Sequence, residues 1–309
     1  MKKKILITGG CGFIGKNISN ELVNLANTKI VIIDDCSSGD PKFLSKKIKI
    51  YKKKINLKNL EKITKKYKIN YIIHCAANFA NQNSIDKPYL DLQTNINGTL
   101  NVLNVAKKFN VLKVINLSSS CVYENFNSSE DNFEPSHDTP YAISKFAAEQ
   151  YMSFFKKYYD MNLINLRLFN IYGPYDYYGK YRNVVPNWIH LAINNKNLLV
   201  HGDGRDTRDF TFVLDLVFAI KLILFKKNIN GTFNFGASKE TRVKILAKKI
   251  INFTKSKSKA IHTKVRSWDK KPKRLCNNKK FLKTFKNFKF TKIDDGLKYT
   301  IAWFLKNRN

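Results

Sequence analysis

A glycine-rich turn between a strand pattern and a helix pattern constrains the fold of this chain more than any other feature. Lys3 to Thr8 are predicted to form a buried strand, Gly9-Gly10-Cys11-Gly12-Phe13-Ile14-Gly15 follows directly, and helical spacing continues to about Leu25. Glycines at Gly9, Gly12 and Gly15 let such a turn tighten and let its backbone approach a pyrophosphate at the start of the helix. The sequence therefore predicts a dinucleotide-binding βαβ unit.

The same alternation continues through the first half of the chain. Strand patterns occupy Lys29–Asp34, Tyr71–His74, Val114–Ser118 and Leu163–Leu168, and helix patterns occupy Leu57–Tyr67, Thr94–Phe109 and Tyr141–Tyr159. Strands that alternate with helices at this spacing form right-handed crossovers and a parallel sheet. We therefore expect an α/β fold, a Rossmann doubly wound parallel sheet.

After Asn170 the alternation stops, and a second, smaller domain is predicted. One more helix and strand, Asp215–Phe225 and Gly231–Gly236, are expected to return to the sheet. Residues 1–170 and about 211–236 are thus assigned to the Rossmann domain. Residues from about 171 to 210 and from 237 to 309 are assigned to a mixed α/β C-terminal substrate domain.

Composition narrows the class of protein. Of the 309 residues, 43% are hydrophobic, which is enough for a sizeable core. No stretch of about 18 apolar residues predicts a membrane span, and the short apolar start does not resemble a signal peptide. The five cysteines have no CxxC or metal-ligand spacing: Cys11, Cys36, Cys75, Cys121 and Cys276. We expect a cytoplasmic protein with reduced thiols, no metal site and no membrane partner.

The net charge of +33 leaves two interpretations open. A basic surface attracts nucleic acid, and a non-enzymatic nucleic-acid-binding or regulatory Rossmann protein is the corresponding alternative function. The other interpretation is a general enrichment in lysine, because the 56 basic residues include only eight arginines and no nucleic-acid-binding module is recognisable. The second interpretation is favoured, so no nucleic-acid partner is predicted.

An acidic residue at the end of the second strand indicates which dinucleotide is bound. Asp34 follows Gly15 by 19 positions. A carboxylate there accepts hydrogen bonds from the ribose hydroxyls and repels a 2′-phosphate. NAD is therefore favoured over NADP.

Tyr141 and Lys145 lie four residues apart, on one face of a predicted helix. Lowering a phenol pKa from about 10 to about 7 takes roughly 4 kcal/mol. A fixed ammonium and the positive ring of an oxidised nicotinamide are a plausible source. The pair suggests redox chemistry, although by spacing alone it also fits two surface residues of a helix.

With these features, the chain resembles the extended short-chain dehydrogenase/reductase superfamily, in particular its NAD-dependent nucleotide-sugar epimerase/dehydratase group. The motifs occur in family order over nearly the whole length: TGGCGFIG (Thr8 to Gly15), HCAAN (His74 to Asn78), NINGT (Asn95 to Thr99), SSSCVY (Ser118 to Tyr123), YAISK (Tyr141 to Lys145), RLFNIYGP (Arg167 to Pro174) and GDGRDTRDF (Gly202 to Phe210). The resemblance implies NAD as cofactor, a nucleoside-diphosphate sugar as substrate and a homodimer paired through the helices that begin near Thr94 and Tyr141.

The resemblance also implies roles for individual residues. Tyr141 is the implied base, Lys145 sets its pKa and anchors the nicotinamide ribose, and Ser119 bonds the reacting sugar oxygen, with Ser118 and Ser120 as neighbouring candidates. The implied cofactor contacts are Gly9, Gly12, Phe13, Ile14, Gly15, Asp34, Asp35, Asn56, Leu57, Cys75, Ala76, Ala77, Asn78, Asn95, Tyr141, Lys145 and Phe169. The implied substrate contacts are Asn170, Asn183, Arg208 and Arg274. Asn56 and Leu57 are implied to lie at the adenine pocket. Asn56 stands where the group usually has Asp, and it keeps an acceptor for the exocyclic amine of adenine.

The two positions that follow Ser119 indicate which reaction is catalysed. Dehydratases of the group carry Asp and Glu there, and the related decarboxylases keep the Glu, whereas this chain has Ser120 and Cys121. The prediction is an NAD-dependent epimerase that acts through a transient 4-keto sugar; a 4-dehydrogenase or oxidase is an alternative. The Ser-x-Cys-x-Tyr order also resembles GDP-mannose 3,5-epimerase and GDP-fucose synthase, in which the thiol is a base. Cys121 is thus either a second base or a small buried thiol.

Overall fold

The structure is a computed structural model that describes residues 3–124, 133–265 and 271–307. The predicted domain ranges also include residues 1–2, 125–132, 266–270 and 308–309, which lie outside the described residues. The chain divides into two compact units. The first unit contains Met1–Val122, Pro135–Arg167 and Val217–Phe233, and the second contains Tyr123–Glu134, Leu168–Leu216 and Asn234–Asn309.

Strands and helices alternate in the first half of the described chain. The strands are β1 (Lys3–Thr8), β2 (Thr28–Asp34), β3 (Lys49–Lys52), β4 (Tyr71–His74), β5 (Lys113–Ser119), β6 (Leu163–Leu168), β7 (Ile171–Tyr172), β8 (Leu198–His201), β9 (Thr207–Asp209), β10 (Thr211–Phe212), β11 (Gly231–Phe235), β12 (Glu240–Arg242), β13 (Ala260–Thr263) and β14 (Lys273–Arg274). The helices are α1 (Phe13–Leu22), α2 (Leu57–Tyr67), α3 (Asn81–Asp86), α4 (Pro88–Asp91), α5 (Gly98–Lys108), α6 (Pro140–Tyr159), α7 (Val184–Ile193), α8 (Val213–Phe225), α9 (Val243–Thr254), α10 (Lys279–Thr284) and α11 (Ile293–Lys306). A π-helical turn, Leu92–Asn97, connects α4 to α5, and a 3₁₀ turn, Ser120–Val122, follows β5.

Seven strands form one sheet in the order β11-β6-β5-β4-β1-β2-β3. The five strands from β1 to β5 pair in parallel. Because the chain begins in the middle and builds outward in both directions, the loops that leave β1 and β4 diverge. That divergence is the switch point at which doubly wound sheets bind ligands. The predicted Rossmann fold is confirmed.

The central strands are buried on both faces. Ile5, Leu6 and Ile7 of β1 have no exposed surface, which explains the continuous apolar pattern of this strand. Leu60 and Ile63 of α2 belong to the same buried cluster as Leu6. Truncating Leu6 to alanine would cost about 2–5 kcal/mol, because the close-packed surroundings could not fill the cavity.

Several elements differ from the sequence-based expectation. Helix α1 ends at Leu22 rather than near Leu25. The helix predicted from Thr94 begins as the π-helical turn, and α5 itself starts at Gly98. The edge strand β3 was not predicted, because its sequence, Lys49 to Lys52, alternates only weakly and is half exposed. Lysines are common on edge strands, where they oppose pairing with another chain. Its position is set by pairing with β2, in which Ile50 lies opposite Ile32.

The second unit is built from short strands around helices. The described residues of this unit form three small sheets, β10-β7, β12-β9-β14 and β13-β8. Its core contains Trp188 and Ile189 of α7, Leu246 of α9 and Ile301 of α11. None of the described helices combines the length and apolar character needed to cross a bilayer.

Candidate active site

The glycine turn after β1 adopts a conformation that side chains would block. Gly9 has a φ of +66°, and a Cβ there would lie 2.6 Å from the backbone nitrogen of Ala76. A Cβ on Gly15 would lie 2.3 Å from the carbonyl oxygen of Gly9. Gly12 caps α1 without a side chain, and a Cβ there would meet only that same oxygen, at 3.4 Å. The turn therefore fits a pyrophosphate lying against the N–H groups that begin α1.

Asp34 connects the turn to the loop after β2. Its Oδ2 accepts a hydrogen bond from the backbone N–H of Cys11 at 2.9 Å, and its Oδ1 accepts one from Cys36 at 2.8 Å. The carboxyl is buried, and burial raises its pKa while the backbone donors oppose the rise. Each oxygen keeps a further lone pair, so the carboxylate fits the predicted role of accepting ribose hydroxyls.

The end of β4 packs against the glycine turn. His74 is fully buried between two threonines, with Nδ1 2.7 Å from Thr8 Oγ1 and Nε2 3.1 Å from Thr99 Oγ1. Burial, with a smaller contribution from Lys145, lowers the pKa of His74 to about 3, so the ring is neutral. This support fixes the loop Cys75–Asn78, which carries four of the predicted cofactor contacts.

Asn78 and Asn95 are joined by hydrogen bonds. The backbone N–H of Asn78 donates to Asn95 Oδ1 at 2.8 Å, and Asn95 Nδ2 donates to Asp91 Oδ1 at 2.8 Å and to Ser144 Oγ at 3.0 Å. Asn95 lies in the π-helical turn, a feature that is frequent at functional sites. The amide nitrogen of Asn78 is buried and has no hydrogen-bond acceptor among the described residues. An ordered ligand would satisfy it.

Tyr141 lies at the start of α6, where the local sequence favours the beginning of a helix. Thr139 is the N-cap and accepts a hydrogen bond from Ala142 N at 3.2 Å, and Pro140 takes the first helical position. The backbone N–H of Tyr141 donates to Ser84 Oγ at 3.0 Å. The helix start, and with it the phenol, is therefore fixed by both capping and a tertiary contact.

The side chain of Ser119 lies beside the phenol of Tyr141. Burial raises the pKa of Tyr141, the neighbouring Cys121 raises it further, and Ser119 lowers it. Ser118 instead donates to Glu149. Of these two serines, Ser119 is thus the one that acts on Tyr141, and its catalytic role stays a prediction.

Lys145 lies one helical turn after Tyr141 and is buried. Its Nζ donates to the carbonyl oxygen of Leu117 at 2.6 Å. Burial lowers the pKa of Lys145 to about 8, while Glu149 and Asp91 oppose the fall. The ammonium is therefore charged at neutral pH but close to losing its proton.

Cys121 and Asn81 lie beside this group. Asn81 Nδ2 donates to Cys121 Sγ at 3.6 Å, and Asn81 Oδ1 accepts from Thr139 Oγ1 at 3.1 Å. The thiol also lies close enough to Tyr141 to influence its pKa. Asn81 was not predicted, because a polar residue in an apparent loop carries no motif.

Three further buried charges support the site and also escaped prediction. The side chains of Glu149 and Arg167 form an ion pair at 2.6 Å, and both are almost fully buried. Asp91 is buried as well, and burial raises its pKa to about 6. Buried charges of this kind are visible in sequence only as ordinary acidic and basic residues, and the fold alone brings them together.

In the second unit, two of the predicted substrate contacts are neighbours. Arg274 of β14 lies directly opposite Arg208 of β9, so their side chains leave the sheet on the same side. Arg208 contacts Asp206 at 3.5 Å and donates to the carbonyl oxygens of Thr207 and Pro272. Paired arginines suit an anionic diphosphate, which accepts their forked donors.

The other two predicted substrate contacts and Phe169 also lie in the second unit. Asn170 has a φ of +34° and donates to the carbonyl oxygen of Asp209 at 3.0 Å. Asn183 is the N-cap of α7, and its side chain makes no capping hydrogen bond. Phe169 is 1% exposed and contacts the ring of Tyr123.

The remaining predicted cofactor contacts surround the first unit's switch point. Phe13 and Ile14 begin α1, and Asp35 directly follows β2. The Asp35 carboxylate accepts a hydrogen bond from the Ser37 hydroxyl at 2.6 Å. Asn56 and Leu57 begin α2, where Asn56 Oδ1 caps the helix by accepting from Asn59 N at 2.9 Å. That bond engages one lone pair of the oxygen proposed to meet the adenine amine.

Comparison with known proteins identifies the family. Residues 5–236 match the NAD-dependent epimerase/dehydratase family. The chain belongs to this family. The resemblance seen in the sequence is therefore confirmed, and the cofactor of this family member is NAD, which fits the glycine turn and Asp34 described above.

Several relatives of this family member are characterised. A dTDP-D-glucose 4,6-dehydratase from Dictyostelium discoideum is 34% identical over 82% of the chain, a match that spans 62% of the relative's own length. The epimerase Mth375 from Methanothermobacter thermautotrophicus is 33% identical, with a TM-score of 0.95 over 99% of this chain and 93% of that one. A UDP-N-acetylglucosamine 4-epimerase from Methanobrevibacter ruminantium, solved with UDP-N-acetylmuramic acid, is 31% identical, with a TM-score of 0.90 over 99% of each chain. The relatives include epimerases, dehydratases and decarboxylases. Membership of the family therefore indicates an enzyme of nucleotide sugars but does not specify which of these reactions it catalyses.

Proposed function

We propose that the protein is an NAD-dependent nucleotide-sugar epimerase that acts through a transient 4-keto sugar. The observation that carries the proposal is that Ser119 lies beside the buried phenol of Tyr141 and lowers its pKa, with Lys145 one turn away on α6. In this assignment the phenolate of Tyr141 takes the proton of the C4 hydroxyl and later returns it. Ser119 holds the same sugar oxygen and thereby orients the carbinol.

The charge balance supports this assignment. Tyr141 has a raised pKa in its buried position, so the base needs positive charge beside it. Lys145 supplies one charge at neutral pH. Bound NAD supplies the second in its oxidised ring, together with the hydride acceptor of the oxidation step.

The residues after Ser119 favour epimerisation over loss of water or carboxylate. Ser120 and Cys121 form the 3₁₀ turn where dehydratases of the group carry an acid and a base. Neither side chain can protonate a leaving hydroxyl as a carboxylic acid does. We infer that the keto sugar is reduced again rather than dehydrated.

The two units are proposed to divide the ligands. The first unit holds NAD at the switch point of its sheet. In the second unit, Arg208 and Arg274 are proposed to bind the diphosphate of a nucleoside-diphosphate sugar, with Asn170 and Asn183 as further contacts. The pairing of Arg274 opposite Arg208 supports the proposed diphosphate site, because a polyanion between two adjacent cations stabilises both.

A second candidate reaction is favoured by one specific contact. Asn81 donates to the sulfur of Cys121 and holds it in place, and this sulfur lies close enough to Tyr141 to influence its pKa. A thiolate beside a 4-keto sugar could remove a proton from a neighbouring carbon, as in 3,5-epimerisation.

A product assay with NAD tests the proposal. UDP-, dTDP-, GDP- and CDP-hexoses are each incubated with the protein, and products are identified by NMR and mass spectrometry. We expect a C4 epimer of unchanged mass and no accumulation of reduced cofactor. Stoichiometric NADH with a keto sugar would instead identify a 4-dehydrogenase, and a product lighter by one water would identify a dehydratase.

We further propose that the protein is a homodimer. Helix α6 exposes an apolar stripe at helical spacing, Ile143, Tyr151, Phe154 and Tyr158, with exposed fractions from 40% to 62%. Leu92 in the π-helical turn is also 43% exposed. Stripes of this kind are buried when a second copy packs against them.

A further inference from the structure

Two thiols and a carboxylate converge at the ends of β1 and β2. One ligand atom each from Cys11, Asp34 and Cys36 lies within 4.8 Å of the other two. Cys11 is buried and Cys36 is half buried, and both are free thiols. The sequence spacing does not reveal the cluster, because it forms only when the parallel pairing of β1 with β2 brings the two loops together.

The loop geometry holds these groups toward one another. Asp34 binds the backbone N–H groups of Cys11 and Cys36 with its two oxygens. The loop after Cys36 is also fixed against the glycine turn, because Asp40 N donates to Cys11 O at 3.1 Å. A Cβ on Gly39 would lie 2.6 Å from the carbonyl carbon of Cys11, so the two loops are in close contact.

This donor set suits a thiophilic cation. Thiolates prefer zinc, cadmium and other soft ions, which bind tetrahedrally and accept a carboxylate as a third ligand. Two sulfur atoms on one tetrahedral zinc ion lie roughly 3.8 Å apart, given Zn–S bonds of about 2.3 Å. The ligand atoms already lie within 4.8 Å of one another, and water would complete the fourth position.

Nearby charges have opposing effects on the pKa values of the two thiols. Burial raises the pKa of both thiols and the Asp34 carboxylate raises it further, whereas Lys16 lowers the pKa of Cys11 and Lys52 lowers that of Cys36. The same carboxylate attracts a cation. Binding exchanges protons for the metal: one divalent cation forms two metal–sulfur bonds, and two thiol protons pass to solvent. No electron is transferred in this exchange.

We propose that Cys11, Asp34 and Cys36 form a binding site for a thiophilic divalent cation of the zinc and cadmium class, and that this cation and NAD exclude each other. The exclusion rests on the proposed role of Asp34. Its oxygens already accept from the N–H groups of Cys11 and Cys36, so a metal on either oxygen would take one of the two positions that the pair of ribose hydroxyls needs. Free thiophilic cations would then inhibit the enzyme in competition with NAD.

Cadmium is the direct probe, because cadmium–thiolate bonds absorb in the ultraviolet. Reduced, NAD-free protein is titrated with Cd²⁺ alone, and the same titration is made with Cys36→Ser, Cys11→Ser and the control Cys121→Ser. Circular dichroism of each variant confirms its fold. Zinc affinity is measured separately by competition with a chromophoric chelator.

The wild type and Cys121→Ser are expected to gain the charge-transfer band and saturate at one cation. Even outer partners of a metal ligand change affinity by about 10–100-fold, so loss of the Cys36 or Cys11 ligand should weaken binding at least about 100-fold. A band that persists in Cys36→Ser would overturn the site. Since Cys36 is half exposed, this variant tests the proposal even if Cys11→Ser does not fold.

Addition of NAD to the cadmium-bound wild type separates the two parts of the proposal. Loss of the band in proportion to NAD is expected, and an unchanged band would refute the exclusion. The readout needs no turnover. An inactive wild type with a normal cadmium titration would therefore contradict the proposed epimerase and leave the cation site standing.

Discussion

The side chain of Asn81 links the sulfur of Cys121 to the cap of the helix that carries Tyr141. Its amide nitrogen donates to Cys121 at 3.6 Å, and its oxygen accepts from Thr139, the N-cap of α6. The thiol and the phenol are therefore positioned by one residue. Whether the thiol takes part in the reaction is open to a direct test.

Replacement of Cys121 by serine should separate the two candidate reactions. For a 4-epimerase we expect turnover to fall less than about tenfold, because the proton and hydride steps at C4 do not require a second base. The assay is run in D₂O with product NMR. Deuterium at carbon 3 or 5 of the wild-type product, lost in the variant together with turnover, would favour the 3,5-epimerase instead.

Replacement of Tyr141 by phenylalanine should lower turnover by about 10³-fold, because general-base catalysis typically contributes a factor of this size. The matched control is Tyr159→Phe, an exposed tyrosine at the end of the same helix. NAD binding, measured by fluorescence or calorimetry, should remain. Normal turnover by Tyr141→Phe would refute the proposed mechanism.

Most of the first unit could be predicted from sequence, because its strands are buried on both faces and its helices are amphipathic. Ser119, Tyr141 and Lys145 were located by family motifs. Asn81, Asp91 and the Glu149–Arg167 pair could not be, since their importance comes from burial and from partners far away in sequence. The short strands of the second unit also escaped prediction, because two to four residues are too few for a periodic signal.

Activity should decline as Lys145 loses its proton. Burial lowers its pKa to about 8, so the fraction of charged ammonium falls as the pH rises through that value. In Lys145→Arg the side chain stays charged, and whatever activity remains should not decline near pH 8. The measurement is kcat against pH for both proteins. An alkaline decline at the same pH in the arginine variant would show that another group is responsible.

Asp176 should make the fold less stable as the pH rises. It is 2% exposed, one of its oxygens has no partner among the described residues, and burial raises its pKa to about 7 although Arg182 opposes the rise. Between pH 4 and 7 the native state keeps this proton while the unfolded chain loses it, so the free energy of unfolding falls through that window.

Asp176→Asn removes this dependence. Relative to the wild type, the variant should gain about 1.4 kcal/mol per pH unit between pH 5 and 7, or about 3 kcal/mol in total. Urea unfolding at pH 5, 6, 7 and 8 measures the difference. The control is Asp160→Asn, an exposed αL cap of α6. A pH-independent difference for Asp176→Asn would contradict the prediction.

The exposed stripe on α6 predicts how the dimer can be broken. Phe154→Lys places a charge on a surface that is 44% exposed in one copy and buried in the proposed pair. We expect light scattering to report a monomer at micromolar concentration. Tyr299→Lys, on a tyrosine of α11 that is 55% exposed, should leave the mass unchanged. A monomeric wild type would exclude the homodimer.

The double hydrogen bond of Asp34 limits how cofactor choice can be re-engineered. A common route from NAD to NADP specificity replaces the acid after the second strand with a small or basic residue, which removes repulsion of the 2′-phosphate. Here that change would leave the N–H groups of Cys11 and Cys36 without their acceptor. A successful switch would need a redesigned loop from Asp34 to Asp40 as well as a new residue, so cofactor preference and loop architecture would have to change together.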